Sequence, residues 1–264
     1  MNLDNPLFPV LFIGHGSPMN AIVQNEFSAE WAEMGKKLPK PDAILCVSAH
    51  WVTEGSQVTL FRHPRTIHDF GGFPRELSDV VYPAPGNPDL ANEIIEKIGS
   101  GIVTGDLSWG FDHGCWSILT HMYPEANLPV VQFSLDEKLS PREHFELAKK
   151  LAFLREQKVL ILCSGNIVHN LRLLDWSQME MPAFGYEWAA EANKVLVDLI
   201  AGGQLEELCN YHALGADVEK ATTDPDHFWP VLYALAQKQA GEKIEFFNDK
   251  IVMGSLSMTS FIIR

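Results

Sequence analysis

Short apolar segments alternate with amphipathic segments along nearly the whole chain, and this alternation limits the possible folds more than any other feature. The apolar segments are rich in β-branched and aromatic residues and have the length of strands, as at residues 8–13, 43–47 and 159–163. Between them lie segments with apolar residues at helical spacing, such as residues 21–37. Strands that alternate with helices in this way are typical of βαβ units. The sequence therefore predicts an α/β fold, with a central, mostly parallel or mixed sheet flanked by helices on both faces.

The remaining elements follow from the same two patterns and from helix caps. Ser140, Pro141 and Glu143 form the sequence of a capping box with proline at the first helical position, which predicts a helix from there to about Arg155. The other predicted helices span residues 88–98, 186–200 and 205–211, and one more follows Pro230. The other predicted strands span residues 57–61, 102–104, 128–134, 244–247 and 255–263.

No sequence feature divides the chain into two domains. Its 264 residues contain no low-complexity linker, internal repeat or long run of charge, and the proline-rich residues 82–88 have the length of a loop. A chain of this length can bury one sizeable core. We therefore expect a single domain over residues 1–264.

The charge balance argues against a nucleic-acid partner. Lysine and arginine together number 20, aspartate and glutamate 34, and the net charge is −14. The basic residues occur singly or in pairs, so no basic patch offsets this charge. The apolar runs are too short to span a membrane, and the first residues show no secretion signal. We expect neither a nucleic acid nor a membrane as partner, and no sequence feature predicts an oligomeric state.

The cysteines indicate a reducing compartment. Four of them, Cys46, Cys115, Cys163 and Cys209, are scattered without C-x-x-C spacing. Cys46 and Cys163 lie inside apolar, strand-like runs, where a buried free thiol is the usual arrangement. Together with the lack of a secretion signal, this pattern predicts a cytoplasmic protein.

The positions of the histidines carry most of the functional information. In open α/β sheets, functional groups collect on loops at the carboxyl ends of the strands. Four histidines follow predicted strands in this way, and a fifth, His227 in TDPDHFWP, comes just before or within the first turn of a late helix. The four are His15 in GHGSPM, His50 in SAHW, His113 in WGFDHG and His169 in SGNIVHN.

Histidines grouped at one edge of a sheet predict a metal site. Imidazole is the commonest protein ligand for zinc and iron, and three histidines from separate loops can meet at one ion. Gly14 and Gly16 beside His15 allow the close backbone approach that such a site requires. A single histidine of this kind is more often a hydrogen-bonded structural residue, but four at strand ends are hard to produce by chance.

Aromatic residues lie next to these histidines in the sequence and are candidates for a substrate pocket. His68, Phe70 and Phe73 occur in TIHDFGGFP, a segment that suits either a mobile loop over a pocket or a structural turn. Trp109 precedes His113, and its ring is suited either to the wall of a pocket for a planar substrate or to the core. The other histidines, His63, His121, His144 and His212, have no special neighbours, which favours surface or capping roles.

Several enzyme classes are disfavoured by missing motifs. The sequence has no G-x-S-x-G nucleophile elbow, no P-loop and no G-x-G-x-x-G after the first strand. Phosphoryl transfer and nicotinamide chemistry are therefore not expected.

The ordered motifs GHGSPM, SAHW, IHDFGGFP, YPAPG, WGFDHG, SGNIVHNL and GSLSM resemble those of the class III extradiol ring-cleavage dioxygenases, in particular the 4,5-DOPA dioxygenase branch. The resemblance runs from His15 to about Ser257. It implies one catalytic domain that inserts O2 into a catechol such as DOPA at a mononuclear non-haem Fe(II), giving a ring-opened semialdehyde acid.

The same resemblance implies a role for each histidine. His15, His50 and His227 match the positions of the metal ligands. His169 matches the acid–base residue and is also a possible fourth ligand, and His113 matches a residue that hydrogen-bonds oxygen or substrate.

Two points stay open at the level of sequence. Many members of this family use two histidines and a carboxylate, whereas His227 makes an all-imidazole set, so Asp224 or Asp226 is an alternative third ligand. Three histidines also form a catalytic zinc set, and Zn(II) is expected to occupy the site on isolation even if Fe(II) is required for activity. A zinc-dependent hydrolase, or a non-catalytic metal-binding interaction protein of the same fold, are the alternative functions.

Overall fold

The computed structural model describes residues 7–178 and 183–264. The first six residues, for which no secretion signal is expected, lie outside these ranges. The strands are β1 (Val10–Gly14), β2 (Ala43–Thr53), β3 (Ser56–Thr59), β4 (Val103–Asp106), β5 (Val130–Asp136), β6 (Val159–Gly165), β7 (Ile244–Phe247), β8 (Ile251–Val252), β9 (Leu256–Ser257) and β10 (Ser260–Ile263). The α-helices are α1 (Glu26–Lys37), α2 (Arg75–Ser78), α3 (Pro88–Ile98), α4 (His113–Met122), α5 (Pro141–Lys149), α6 (Phe153–Glu156), α7 (Glu187–Gly202), α8 (Leu205–Cys209), α9 (Ala216–Ala221) and α10 (Pro225–Leu235).

One mixed sheet runs through the described part of the chain, with strand order β4-β3-β5-β2-β6-β1-β10-β7. Its central strands β5, β2, β6 and β1 are parallel; on one side β10 pairs antiparallel with β1, and β7 pairs antiparallel with β10. On the other side, β3 pairs antiparallel with β5, and β4 pairs parallel with β3. The α/β fold expected from the sequence is confirmed, and the carboxyl ends of the four central strands share one edge.

Helices cover both faces of the sheet because the central strands are apolar on both sides. Alternate residues of a strand point to opposite faces. Phe12 of β1 therefore packs in one core, with α3, α5, α7 and α10, and Ile13 packs in the other, with α1 and α4. The edge that carries the strand ends is thus flanked by α10 on one face and α4 on the other.

Three predicted helices have different bounds in the structure. The helix expected over residues 21–37 begins at Glu26, because the Asn25 side chain accepts the N–H groups of Phe27 and Ser28 and so caps it there. The helix expected to reach Arg155 ends at Lys149, and α6 follows as a separate turn.

The late helix begins earlier than expected, because Pro225 occupies its first turn and Pro230 lies inside it. The expected strand at residues 255–263 is divided into β9 and β10. The strand expected at residues 43–47 continues to Thr53, so His50 lies within β2 and not after it as predicted. The remaining predicted elements match with shifts of a few residues at their ends.

His144 is the clearest error among the sequence predictions. We expected a surface or capping role, but its side chain is fully buried on α5. Its ring packs 4.5 Å from that of Trp229, and Nδ1 lies 3.2 Å from the Tyr233 hydroxyl. Burial lowers the pKa of His144 to about 4. Sequence spacing did not reveal this contact, because both partners come from α10, about 85 residues later.

The four cysteines are free and buried, as was predicted for Cys46 and Cys163. Among the residues described, no helix is both long and apolar enough to cross a membrane.

Candidate metal centre

The end of β1 fixes His15. Its backbone N–H donates to the carbonyl of Gly165, at the end of the neighbouring strand β6, over 3.1 Å. Gly14 is required for packing, because a Cβ there would lie 2.7 Å from the carbonyl carbon of Met258. The close approach predicted for the glycines beside His15 is therefore made by Met258, whose backbone packs against Gly14 and whose side chain packs against Gly16.

An irregularity in β2 brings His50 to the same place. The pairing of β2 with β5 shifts register between Val47 and Val52, and His50 lies within this interval. Irregularities of this kind redirect side chains that would otherwise alternate strictly between the two faces. The imidazole of His50 consequently lies beside that of His15, with ring centroids 4.9 Å apart.

A capped helix start fixes His113, the first residue of α4. The Asp112 side chain caps the helix and accepts the hydroxyl of Ser48 over 2.7 Å. Gln132 binds the same residue twice, donating from Nε2 to Oδ2 over 2.7 Å and accepting the Asp112 N–H over 3.0 Å. The ring of His113 is held 3.8 Å from that of His50, measured between centroids.

The opposite face contributes His227, in the first turn of α10. Its carbonyl accepts the N–H of Asn166 over 2.9 Å, and a Cβ on Gly165 would come within 2.2 Å of that carbonyl. His169 donates its backbone N–H to Ala221 and lies flat on His227, with centroids 3.5 Å apart and ring planes 10° apart.

His15, His50 and His227 form one group of possible metal ligands. One ring nitrogen from each lies within 4.8 Å of the other two. The Nε2 atoms of His15 and His50 are 3.1 Å apart. Two nitrogens that bind one ion at about 2.1 Å and an angle of about 90–110° lie roughly 3.0–3.4 Å apart. The spacing of this pair therefore fits two ligands of a single ion.

Each of the five clustered histidines has an oxygen atom near its Nδ1 atom. The pairs are His15 with Ser164 Oγ (2.9 Å), His113 with Asp69 Oδ2 (2.9 Å), His50 with the same Asp69 oxygen (3.4 Å), His169 with Asp224 Oδ2 (3.0 Å) and His227 with Asp226 Oδ2 (3.0 Å). An imidazole that donates from Nδ1 keeps the lone pair on Nε2, which can then bind a metal or take a proton.

The hydroxyl of Ser164 settles the tautomer of His15. Its O–H donates to the carbonyl of Gly114 over 2.6 Å, so the oxygen is free to accept from His15 Nδ1. Gly114 is tightly packed here, since a Cβ would lie 2.5 Å from Ser48 Oγ and 3.0 Å from His50 Cδ2.

Burial keeps the three possible ligands neutral. It lowers the pKa values of His15, His50 and His227 well below the ordinary histidine range, and the neighbouring imidazoles lower them further. A neutral imidazole is the form that binds a metal ion. Burial by itself would raise the pKa of Asp69, but the hydrogen bond from His113 and the nearby imidazoles lower it to about 2.

The cluster fits a metal ion on one further observation. His227 is 5% exposed, and neither of its ring nitrogens has a hydrogen-bond partner among the described residues. Its Nδ1 is close to Asp226, but off the line of a hydrogen bond. A buried imidazole without partners is costly unless something else binds it. An ion shared with His15 and His50 would satisfy its Nε2.

Asp224 and Asp226, the alternative third ligands, lie behind the rings and not among them. Asp224 contacts His169, whose hydrogen bond lowers the pKa of this carboxyl. Asp226 contacts His227, and burial raises its pKa. The ligand-like group of three contains neither residue.

The residues predicted for a substrate pocket divide into two sets. Phe70 lies edge-on to His113 at 5.7 Å, and His68 and Phe73 pack on Phe70. Trp109 instead stacks on Trp51, and its Nε1 lies 3.4 Å from Asp112 Oδ2.

Sequence reasoning missed the residues that orient the histidines. Ser164 and Asp69 were not singled out, although each lies in a motif that was. Ser164 begins SGNIVHN, and Asp69 lies between His68 and Phe70. A polar residue inside a motif that already contains a candidate histidine was the available signal.

Comparisons with known proteins identify the family of this chain. Residues 9–261 match the family model described as the catalytic LigB subunit of aromatic ring-opening dioxygenase. The chain is 45% identical to a 4,5-DOPA dioxygenase extradiol of Escherichia coli (strain K12), over 96% of this chain and 93% of the relative. It is 34% identical to a 4,5-DOPA dioxygenase extradiol of Beta vulgaris, over 99% of this chain and 98% of the relative.

A solved structure of an uncharacterized protein from Escherichia coli K12 shares the fold. Its TM-score is 0.83 at 38% sequence identity, and the match covers 97% of this chain and 100% of the other. The chain therefore belongs to the LigB family and is an oxidoreductase of the aromatic ring-opening dioxygenase class.

Proposed function

We propose that this dioxygenase opens the ring of a catechol such as DOPA beside its hydroxyl pair, using O2 and a non-haem Fe(II). Both atoms of O2 would enter the product, a ring-opened semialdehyde acid. The observation that carries the proposal is the convergence of His15, His50 and His227, with His169 stacked against the last of them. The choice of a DOPA-like substrate is supported by the names of the relatives from Escherichia coli and Beta vulgaris.

His15, His50 and His227 would hold the metal through Nε2. Bound Fe(II) would supply a Lewis acid for the catechol hydroxyls and electrons for the activation of O2. The donor set also suits Zn(II), which binds nitrogen ligands more tightly than Fe(II) does and has no redox chemistry. We therefore expect zinc to compete for the site in protein isolated in air.

His169 is proposed as the acid–base residue. Its Nδ1 is held by the Asp224 carboxylate over 3.0 Å, which leaves Nε2 as the nitrogen that takes a proton from the substrate. The imidazolium formed in this way is stabilised by the same carboxylate. His169 could also approach the metal as a fourth ligand, since its ring lies directly on that of His227.

His113 and the aromatic residues would position the substrate. His113 is 5% exposed and is held through Nδ1 by Asp69, so its Nε2 is available for a hydrogen bond to a substrate hydroxyl or to oxygen. Phe70, edge-on to His113, and the adjacent Phe73 and His68 supply apolar surface for a planar ring. Trp109 contacts Asp112, so its proposed part in the pocket is indirect.

The proposal is tested by controlled metal loading. The protein is stripped with a chelator, reloaded anaerobically with Fe(II) or Zn(II), and mixed with oxygen and a panel of catechols that includes DOPA, dopamine and protocatechuate. We expect one O2 consumed per ring and a yellow semialdehyde product with Fe(II), and no oxygen uptake with Zn(II).

Two controls make the outcome decisive. His227→Ala should lose the metal and the oxygen uptake, whereas His63→Ala, at an exposed position, should keep both. If verified Fe(II) protein consumes no oxygen with any catechol while the zinc form hydrolyses esters or amides, a hydrolase replaces the dioxygenase as the proposed function.

A further inference from the structure

Asp69 is the one carboxylate in the described residues that contacts two of the clustered histidines. Its Oδ2 lies 2.9 Å from Nδ1 of His113 and 3.4 Å from Nδ1 of His50. Its Oδ1 accepts the backbone N–H of His113 over 2.9 Å. Both oxygens are therefore engaged, one by the start of α4 and the other by the two rings.

The segment that carries Asp69 is firmly attached to the helix it binds. The backbone of Ile67 donates to Phe111 over 2.7 Å and accepts the indole N–H of Trp116 over 2.8 Å. His68 Nε2 lies 2.9 Å from the carbonyl of Val80. These contacts hold the two residues that precede Asp69, so the carboxylate is positioned before any ligand arrives.

We infer that Asp69 is a positioning residue, which fixes the Nδ1–H tautomer of His113 through a hydrogen bond and favours the same tautomer of His50 when a metal binds the Nε2 atom of His50. This inference rests on the proposed function, because it assigns His50 to the metal and His113 to the substrate. The two rings share one oxygen, since His113 is hydrogen-bonded to it over 2.9 Å and His50 lies in contact with it at 3.4 Å.

The chemistry of an amide explains why a carboxylate is needed. In Asp69→Asn, the side chain offers one acceptor and one NH2 group in place of two acceptors. If the amide oxygen keeps the His113 backbone N–H, the NH2 group faces the rings and requires acceptors at their Nδ1 atoms. The protons then move to Nε2, where they block metal binding by His50. If the amide turns around, the start of α4 loses its acceptor.

The first test uses the metal-free wild-type protein and needs no catalysis. Long-range ¹H–¹⁵N NMR of ¹⁵N-histidine protein reports which ring nitrogen carries the proton. We expect His113 as the Nδ1–H tautomer; His50 is compared only after zinc loading, because without an ion its Nε2 lies 3.1 Å from Nε2 of His15. An Nε2–H tautomer at His113 overturns the inference, whatever the variants do.

The second test compares Asp69→Asn with wild type. We expect His113 in the metal-free protein to shift toward the Nε2–H tautomer while His15, held by Ser164, is unchanged. Zinc affinity, measured by chelator competition, should fall about 10–100-fold, the usual effect of losing a partner of a ligating histidine. Asp69→Glu, which retains the carboxylate, should recover part of this loss.

A matched control removes the charge without the contact. Asp79 is exposed and lies ten residues along the same segment, so Asp79→Asn should leave tautomers and zinc affinity at wild-type values. Unchanged tautomers and affinity in Asp69→Asn would overturn the inference. Because neither readout involves ring cleavage, its failure is distinct from failure of the proposed function, which oxygen uptake measures.

Discussion

His169 lies flat on His227, with the two ring centroids 3.5 Å apart and the ring planes 10° from parallel. Both rings are buried, and the Nδ1 atom of each lies 3.0 Å from a different carboxylate, although only the contact of His169 is a hydrogen bond. The stack therefore joins the proposed acid–base residue to a proposed metal ligand by packing. A truncation of His169 would remove a proton carrier and a packing partner together, so the two roles need a substitution that separates them.

His169→Phe retains an aromatic ring on His227 but has no group that can take a proton. We expect turnover to fall about 10²–10⁴-fold, the usual cost of losing a general acid–base residue. Metal content should stay near the wild-type value. Both quantities are measured on the same anaerobically loaded sample, with His63→Phe at an exposed position as the control. Loss of the metal in His169→Phe would instead make His169 an essential ligand.

Ser164→Ala should weaken metal binding without removing a ligand. The change deletes the acceptor at His15 Nδ1 and the donor to the Gly114 carbonyl. We expect zinc affinity to drop about 10–100-fold in a chelator competition. Ser117→Ala is the matched control, because Ser117 is also buried but its hydroxyl has no partner among the described residues. Equal affinities in the two variants would contradict the orienting role of Ser164.

His144 predicts how stability depends on pH. Its pKa is about 4 in the folded protein, because burial disfavours the charged ring, against about 6.5 in the unfolded chain. As pH falls below about 6.5, the unfolded state takes up a proton that the folded state refuses, so stability decreases until about pH 4. Between pH 7.5 and pH 5 this residue alone should cost about 2 kcal/mol.

Urea unfolding of metal-free wild type and His144→Phe at both pH values measures this effect. The other buried histidines contribute to both proteins, so the difference between their pH dependences isolates His144. The variant should lose about 2 kcal/mol less than wild type on going to pH 5. Identical pH dependences would show that the pKa of His144 is the same in the folded and unfolded states, which contradicts the prediction.

Substitution of Arg155, which lies far from the clustered histidines, should lower the free energy of unfolding strongly. Its guanidinium is fully buried, donates to the carbonyls of Phe8 and Gln237, and pairs with Glu242. Removal of one partner of a buried ion pair typically costs about 3–5 kcal/mol, because the remaining charge and carbonyls lose their partner. Arg155→Met should show this loss in urea unfolding, whereas Lys138→Met, in exposed pairs, should change stability by less than about 1 kcal/mol.

The strand ends could be read from the sequence because they depend on local pattern. The apolar runs before His15 and His50 are continuous and end at the motifs, so the edge on which these residues lie followed from the α/β alternation alone. The placement of His227 was less direct. It lies on a helix, and only the family resemblance connected it to the strand-end histidines.

The partners of the rings could not be read in the same way, because they depend on packing between distant segments. Asp69 meets His113 across 44 residues, and Asp224 meets His169 across 55 residues. The packing of two distant segments decides which nitrogen of a ring faces a carboxylate. The spacing of apolar residues within one segment does not predict such a contact. The prediction of a surface or capping role for His144 was wrong for the same reason, since its partner Tyr233 is 89 residues away.

The position of β10 has a consequence for synthesis of the protein. β1, whose end carries His15, lies between β6 and β10 and pairs Val10 with Ile161 on one side and with Ile263 on the other. While a ribosome is still making the chain, β1 therefore has an open edge until residues 260–263 have emerged. His15 is translated before the other histidines of the cluster, but its strand gains this second neighbour only after β10 has emerged. We infer that the nascent chain exposes one apolar edge of β1 until that point.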